Sequence, residues 1–92
     1  MPREGAVPRR RADVVLQQAG GDAILIDGRS NEAHVINGAA ARLWELCDGQ
    51  RSVGEIAAEF GAPFDMTAAD VREDVDAGLD ALTALGLFET DG

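Results

Sequence analysis

Residues 34–60 read HVINGAAARLWELCDGQRSVGEIAAEF, and the fold turns on a change of rhythm inside them. His34, Val35 and Ile36 close a short β-forming run. From Asn37 onward the apolar residues Ala40, Leu43, Trp44 and Cys47 recur three and four apart, the spacing of one helical face. Asn37 is a good helix N-cap, and Asp48-Gly49 offers the stop. Ser52-Val53-Gly54-Glu55 then spells a capping box, with Val53, Ile56, Ala57 and Phe60 on one side of a second helix.

Working upstream, three short β candidates precede the switch. Asp13 to Gln18 (DVVLQQ) ends at the turn signal Gly20-Gly21. Asp22 to Asp27 (DAILID) is a continuous apolar run, as a central strand would be. Gly28 to Asn31 is a second turn, and Glu32 to Ile36 is the third strand. Connections this short fit an antiparallel meander, which leaves the first and third strands on the edges. Working downstream, Gly61 to Asp65 breaks the helical pattern. Thr67 caps a longer third helix with Asp70 at N3, and Met66 and Val71 occupy the staple positions. Val71, Val75, Gly78, Leu79 and Leu82 line one face, and Gly86 sits where a left-handed C-terminal residue is wanted. Leu87 and Phe88 form a short apolar return. The expected architecture is α+β and winged-helix-like: a three-stranded antiparallel sheet followed by three helices, in the order β-β-β-α-α-α.

The chain has 92 residues, the length of a single domain. Residues 1–12, with Pro2, Pro8 and Arg9-Arg10-Arg11, read as a flexible N-terminal tail, and residues 13–90 as the folded domain. No apolar run approaches the length of a membrane span, and no signal-peptide pattern opens the chain, so a cytoplasmic location is expected. Cys47 is the lone cysteine and His34 the lone histidine, which excludes an internal disulfide and a Cys/His zinc site. No P-loop, dinucleotide fingerprint or Ser/His/Asp set is present. The expectation is therefore no enzyme, no cofactor and no metal. Net charge is −9, with 17 acids against 8 bases, all of them Arg. Such a body repels nucleic-acid backbones and anionic membranes and favours basic partners.

The same central stretch resembles the PqqD family, the coenzyme PQQ synthesis protein D group. The residues that carry the resemblance are Ile36-Asn37, Gly38 to Ala41, Leu43-Trp44, Asp48-Gly49 and Ser52 to Ile56. GGDAILID upstream and DVREDVDAGLDALTALGLF downstream extend it, so that it covers about residues 7–89. Ile36 stands where the family usually has Leu, and Ala39 to Ala41 where Thr-Gly-Ala is frequent. The resemblance implies a recognition element for ribosomally synthesised, post-translationally modified peptides. Such a domain binds the leader of a precursor peptide as an added strand beside its third strand, in the groove made with its third helix. The implied partners are that leader and a maturation enzyme: a radical SAM enzyme, a lasso-peptide protease or a similar one.

The residues allow the same mechanism. An edge strand carries unpaired backbone groups that a peptide can satisfy. The expected peptide-binding edge is Ala33, His34, Val35 and Ile36, and the expected groove wall is Val71, Asp74, Val75, Gly78 and Leu79 of the third helix. Gly78 costs about 1 kcal/mol relative to Ala inside a helix, so it implies either close packing against the strands or room for a ligand side chain. Asp65, Asp70, Glu73, Asp74, Asp76 and Asp80 against Arg72 make the third helix either a solvated face or a guide for a basic leader residue. His34 reads as an exposed strand residue, Cys47 as core, and Trp44 as the main core plug whose indole N–H needs a partner. The rival readings are a winged-helix DNA binder, disfavoured by the acidic third helix, and a generic protein-interaction module.

Overall fold

The computed structural model describes residues 5–89. Its elements follow the expected order. The strands are β1 (Val14–Ala19), β2 (Asp22–Asp27) and β3 (Ala33–Asn37), and the helices are α1 (Gly38–Leu46), α2 (Val53–Gly61) and α3 (Ala68–Ala84). A single 3-10 turn, Ala62–Phe64, links α2 to α3.

The sheet is an antiparallel meander with β2 in the middle. Leu25 sits opposite Leu16 on one side and His34 on the other, and Ala23 opposite Gln18 and Ile36. Directly opposed residues share a face. One face of the sheet therefore carries Val14, Leu16, Ala23, Leu25, His34 and Ile36. Ala23 and Leu25 are wholly buried there beneath the helices. The other face carries Val15, Ile24, Ile26 and Val35, of which Val15 and Val35 are exposed.

Each helix begins where its side-chain cap places it. The Asn37 carboxamide oxygen accepts the N–H of Ala40 at 2.7 Å. Ser52 and Glu55 exchange hydrogen bonds in a full capping box, as do Thr67 and Asp70. Each such cap is worth about 1 kcal/mol. Met66, at the staple position before α3, remains exposed. At the far end of α3, Gly86 adopts φ +73°, and the chain turns back to bury Leu87 completely. The core joins Leu25 to Leu43, Trp44 and Cys47 of α1, Val53 and Ile56 of α2, and Val71, Val75, Leu79 and Leu82 of α3. The Trp44 indole N–H finds the Leu87 carbonyl at 3.5 Å.

The segment before β1 departs from the expectation of a loose tail. Residues 1–4 lie outside the described residues, as do residues 90–92. From Ala6 to Arg11, however, the chain is tied across the helical layer. The Ala6 carbonyl accepts the N–H of Val53, and the Pro8 carbonyl that of Gly49. Arg10 donates its N–H to Cys47, and Arg11 to Leu87. Arg11 itself is only 7 % exposed. The run Arg9-Arg10-Arg11 reads as part of a solvated tail because charge is usually at the surface. Here the buried Asp27 carboxylate, together with the exposed Asp13, receives Arg11, and sequence order alone does not reveal that pairing.

Candidate functional site

Among the described residues β3 pairs with β2 only, so its other margin is open. The Asp27 N–H donates to the Glu32 carbonyl at 2.9 Å, which places a hydrogen-bonded pair just before β3. Bonded and non-bonded pairs alternate along an antiparallel ladder. The register then makes Leu25/His34 and Ala23/Ile36 the bonded pairs. The N–H and C=O of Ala33 and Val35 consequently point away from β2, toward the open margin. Val35 is 73 % exposed, and Ala33 is exposed as well. His34 and Ile36 are half-buried because their side chains turn toward the helical layer. His34 is thus less exposed than its place on an edge strand suggests.

Where β3 runs into α1 a cleft of about 260 Å³ opens between α1 and α3. It is lined by Asn37, Ala39, Ala40, Leu43, Phe60, Asp74 and Gly78. The cleft exists because both helices present small residues toward it, Ala39 and Ala40 from α1 and Gly78 from α3. A Cβ built on Gly78 would stand 2.5 Å from Cδ2 of Leu43. The glycine is therefore needed for close approach to α1, not to the strands as expected. Leu43 closes the space beneath it.

One end of the cleft is braced by Arg42. Its guanidinium donates to the Phe60 and Glu59 carbonyls at 2.7 and 2.5 Å. It also stacks on the Phe60 ring, 4.9 Å from the centroid. A cation on the last carbonyls of a helix is well placed against the helix dipole, so this contact pins Phe60 against α1. On α3, Asp74 is exposed and lies one turn before Gly78. Arg72, the only base of α3, donates to Asp76 at 3.1 Å instead. Among the described residues no hydrogen bond or ion pair falls on Asp74.

The expected wall on α3 is thus divided. Asp74 and Gly78 face the cleft, while Val71, Val75 and Leu79 are buried in the core and hold α3 in place. Sequence reasoning did not assign Asn37, Ala39, Ala40, Leu43 and Phe60 to the site. The run of small residues opening α1 was the available signal, but it reads equally as helix packing. Cys47 is fully buried and donates its S–H to the Leu43 carbonyl at 3.2 Å. Burial pushes its thiol pKa up to about 12, which keeps it unreactive. Among the described residues no group of His, Cys, Asp and Glu is placed to hold a metal ion, and no helix is long and apolar enough to cross a membrane.

Three strands followed by three helices, with the open margin of β3 beside a small-residue cleft, define an α+β domain of winged-helix-like order. The chain belongs to the PqqD family: the family model, Coenzyme PQQ synthesis protein D (PqqD), matches residues 22–87. A relative from Gluconobacter oxydans (strain 621H), named PqqA binding protein, is 50% identical over 44 residues. That stretch is 44% of this chain and spans about half the length of the relative (46%). Two solved structures share the fold. TbiB1 in complex with the TbiA(beta) leader peptide superposes with a TM-score of 0.72 at 19% identity, covering 91% of this chain and 98% of TbiB1. Lasso peptide synthetase B1 complexed with the leader peptide also gives 0.72, at 24% identity, covering 92% of this chain and 100% of that one.

Proposed function

We propose that this chain captures the leader of a ribosomally made precursor peptide at β3 and presents it to a maturation enzyme. The observation that carries the reading is the outward-facing backbone of Ala33 and Val35 on an edge strand, continuous with the Gly78 cleft. A peptide laid beside β3 gains main-chain hydrogen bonds from any sequence. Side chains that fall into the cleft then supply discrimination. One apolar anchor there contributes about 1.5–3 kcal/mol. The residues proposed to touch the peptide are Ala33 to Asn37 on the strand, and Ala39, Ala40, Leu43, Phe60, Asp74 and Gly78 around the cleft. Support comes from the relative named for binding PqqA and from the leader peptides in both solved complexes.

In this reading the chain acts as a binding partner and leaves catalysis to the enzyme it serves, a radical SAM enzyme, a lasso-type protease or a similar one. Capture takes place in the cytoplasm, where the precursor is made. Binding to DNA is the poorer reading, because the exposed surface of α3 carries Glu73, Asp74 and Asp80.

The test is a titration of synthetic PqqA into the isotopically labelled chain, followed by amide NMR. The expected result is shifts at Ala33 to Asn37 and around Asp74 and Gly78, with slowed exchange of the Val35 amide. Shifts confined to β1 or α2, or no binding of PqqA or of any other leader peptide, would overturn the proposal.

A further inference from the structure

We infer that Asp74 sets the peptide specificity of the cleft, by receiving a lysine or arginine side chain of the added strand. The inference rests on the strand-addition reading above and names the chemistry that reading leaves open. The walls beside β3 are apolar: Ala39, Ala40, Leu43 and the Phe60 ring. The floor is shallow, because the end of Leu43 fills the space below Gly78. The rim holds a carboxylate with no partner among the described residues. A long side chain with an apolar stem and a charged head matches all three features. Its methylenes lie along Leu43 and Phe60 while the head stays at the solvent-facing rim.

Charge around the cleft has the same sense. Arg42 is held at the α2 carbonyls and on the Phe60 ring, and Arg72 is turned to Asp76, so neither neutralises Asp74. The whole chain carries −9, which draws a basic peptide in and disfavours an acidic one. Asp74 and Gly78 are four residues apart on α3 and share one helical face. A side chain that enters over the glycine therefore ends beside the carboxylate.

A display library of randomised dodecapeptides, panned on the intact chain and on Asp74→Asn and Asp74→Lys, tests this directly. The expected outcome is Lys or Arg at one fixed position in peptides selected by the wild type. That preference disappears with Asp74→Asn, while the apolar pattern persists, and turns to Asp or Glu with Asp74→Lys. In a selected peptide, replacing that Lys by Leu weakens binding to the wild type by about three- to tenfold at low salt and leaves Asp74→Asn unaffected. Peptides that protect the Val35 amide yet show no basic position, or the same basic preference with Asp74→Asn, overturn the role of Asp74 alone. Selected peptides that leave β3 unperturbed overturn strand addition itself, and this inference with it.

Discussion

Arg11 and Asp27 meet as a paired fork: Nη1 donates to Oδ2 and Nη2 to Oδ1, each at 2.9 Å. Both residues are buried. Arg11 also reaches Asp13 and the Gly86 carbonyl, and Asp27 Oδ1 accepts the N–H of Arg29 at 2.8 Å. One guanidinium thus joins the segment before β1, the β2–β3 turn and the end of α3. Removing one member of a buried pair leaves the other charge without its partner. Arg11→Met is expected to lower the urea midpoint well beyond the loss of about 1 kcal/mol for the cap variant Ser52→Ala. Equal effects of the two variants in equilibrium unfolding would mean that the pair contributes little.

The same pair makes the fold acid-sensitive. The Arg11 guanidinium holds the Asp27 and Asp13 carboxyls below the usual carboxylate range. Backbone N–H donors do the same for Asp48, Glu55 and Asp70, chiefly those of Gln50, Ser52 and Thr67. A carboxyl with a depressed folded pKa adds stability that is complete above its unfolded value, about 4, and is lost as pH falls through the folded value. Urea midpoints are therefore expected to change little from pH 7 to 5 and to fall steeply below pH 4. Asp27→Asn should flatten that fall.

Edge geometry separates two neighbouring proline variants. The Val35 N–H faces away from β2, so Val35→Pro removes no ladder bond and should leave the chain folded, by circular dichroism, while abolishing peptide capture. The His34 N–H belongs to a bonded pair with Leu25, so His34→Pro removes a ladder bond and should destabilise the fold, lowering the urea midpoint where Val35→Pro does not. Peptide binding retained by folded Val35→Pro would remove β3 as the docking strand.

Gly78→Ala sets helix propensity against space. Alanine recovers about 1 kcal/mol of helix stability, but its Cβ forces Leu43, a buried side chain, to shift. Such overpacking costs about 1–3 kcal/mol. The expected net is a small loss of stability and a much larger loss of peptide affinity, because the shifted Leu43 occupies the cleft. A variant equally stable and equally competent in titration calorimetry would mean the cleft is not used.

Cys47 gives a readout of global opening. Its thiol pKa, about 12 in the fold, lies above the usual value of 9. Protonation is therefore favoured in the folded chain, and this contribution is lost only as pH rises above about 9. A thiol reagent at pH 8 is expected to react at the rate of unfolding, and immediate labelling would contradict the burial.

The strands, helices and caps are legible in the sequence because their causes are local. Asn37, Ser52 and Thr67 act on residues three positions away, and the alternation in β2 is set by neighbours in the chain. The open margin of β3 is legible for the same reason, since short turns force a meander. What escapes is set by tertiary partners. Nothing in the run Arg9-Arg10-Arg11 says that only the last meets Asp27. Nor does the apolar face of α3 say that Val71, Val75 and Leu79 are spent on the core while Gly78 meets Leu43. The cleft belongs to the same class, since Phe60 and Ala40 become neighbours only when α1 and α2 pack.

Near the two ends of the described chain, Glu89 donates its N–H to the Arg9 carbonyl at 2.7 Å. From Arg9 to Glu89 the backbone is thus an almost closed loop. A short linker across that junction should tolerate circular permutation with new termini at the Gly20-Gly21 turn. Reporter groups appended at either side of the junction would leave from the same corner of the molecule.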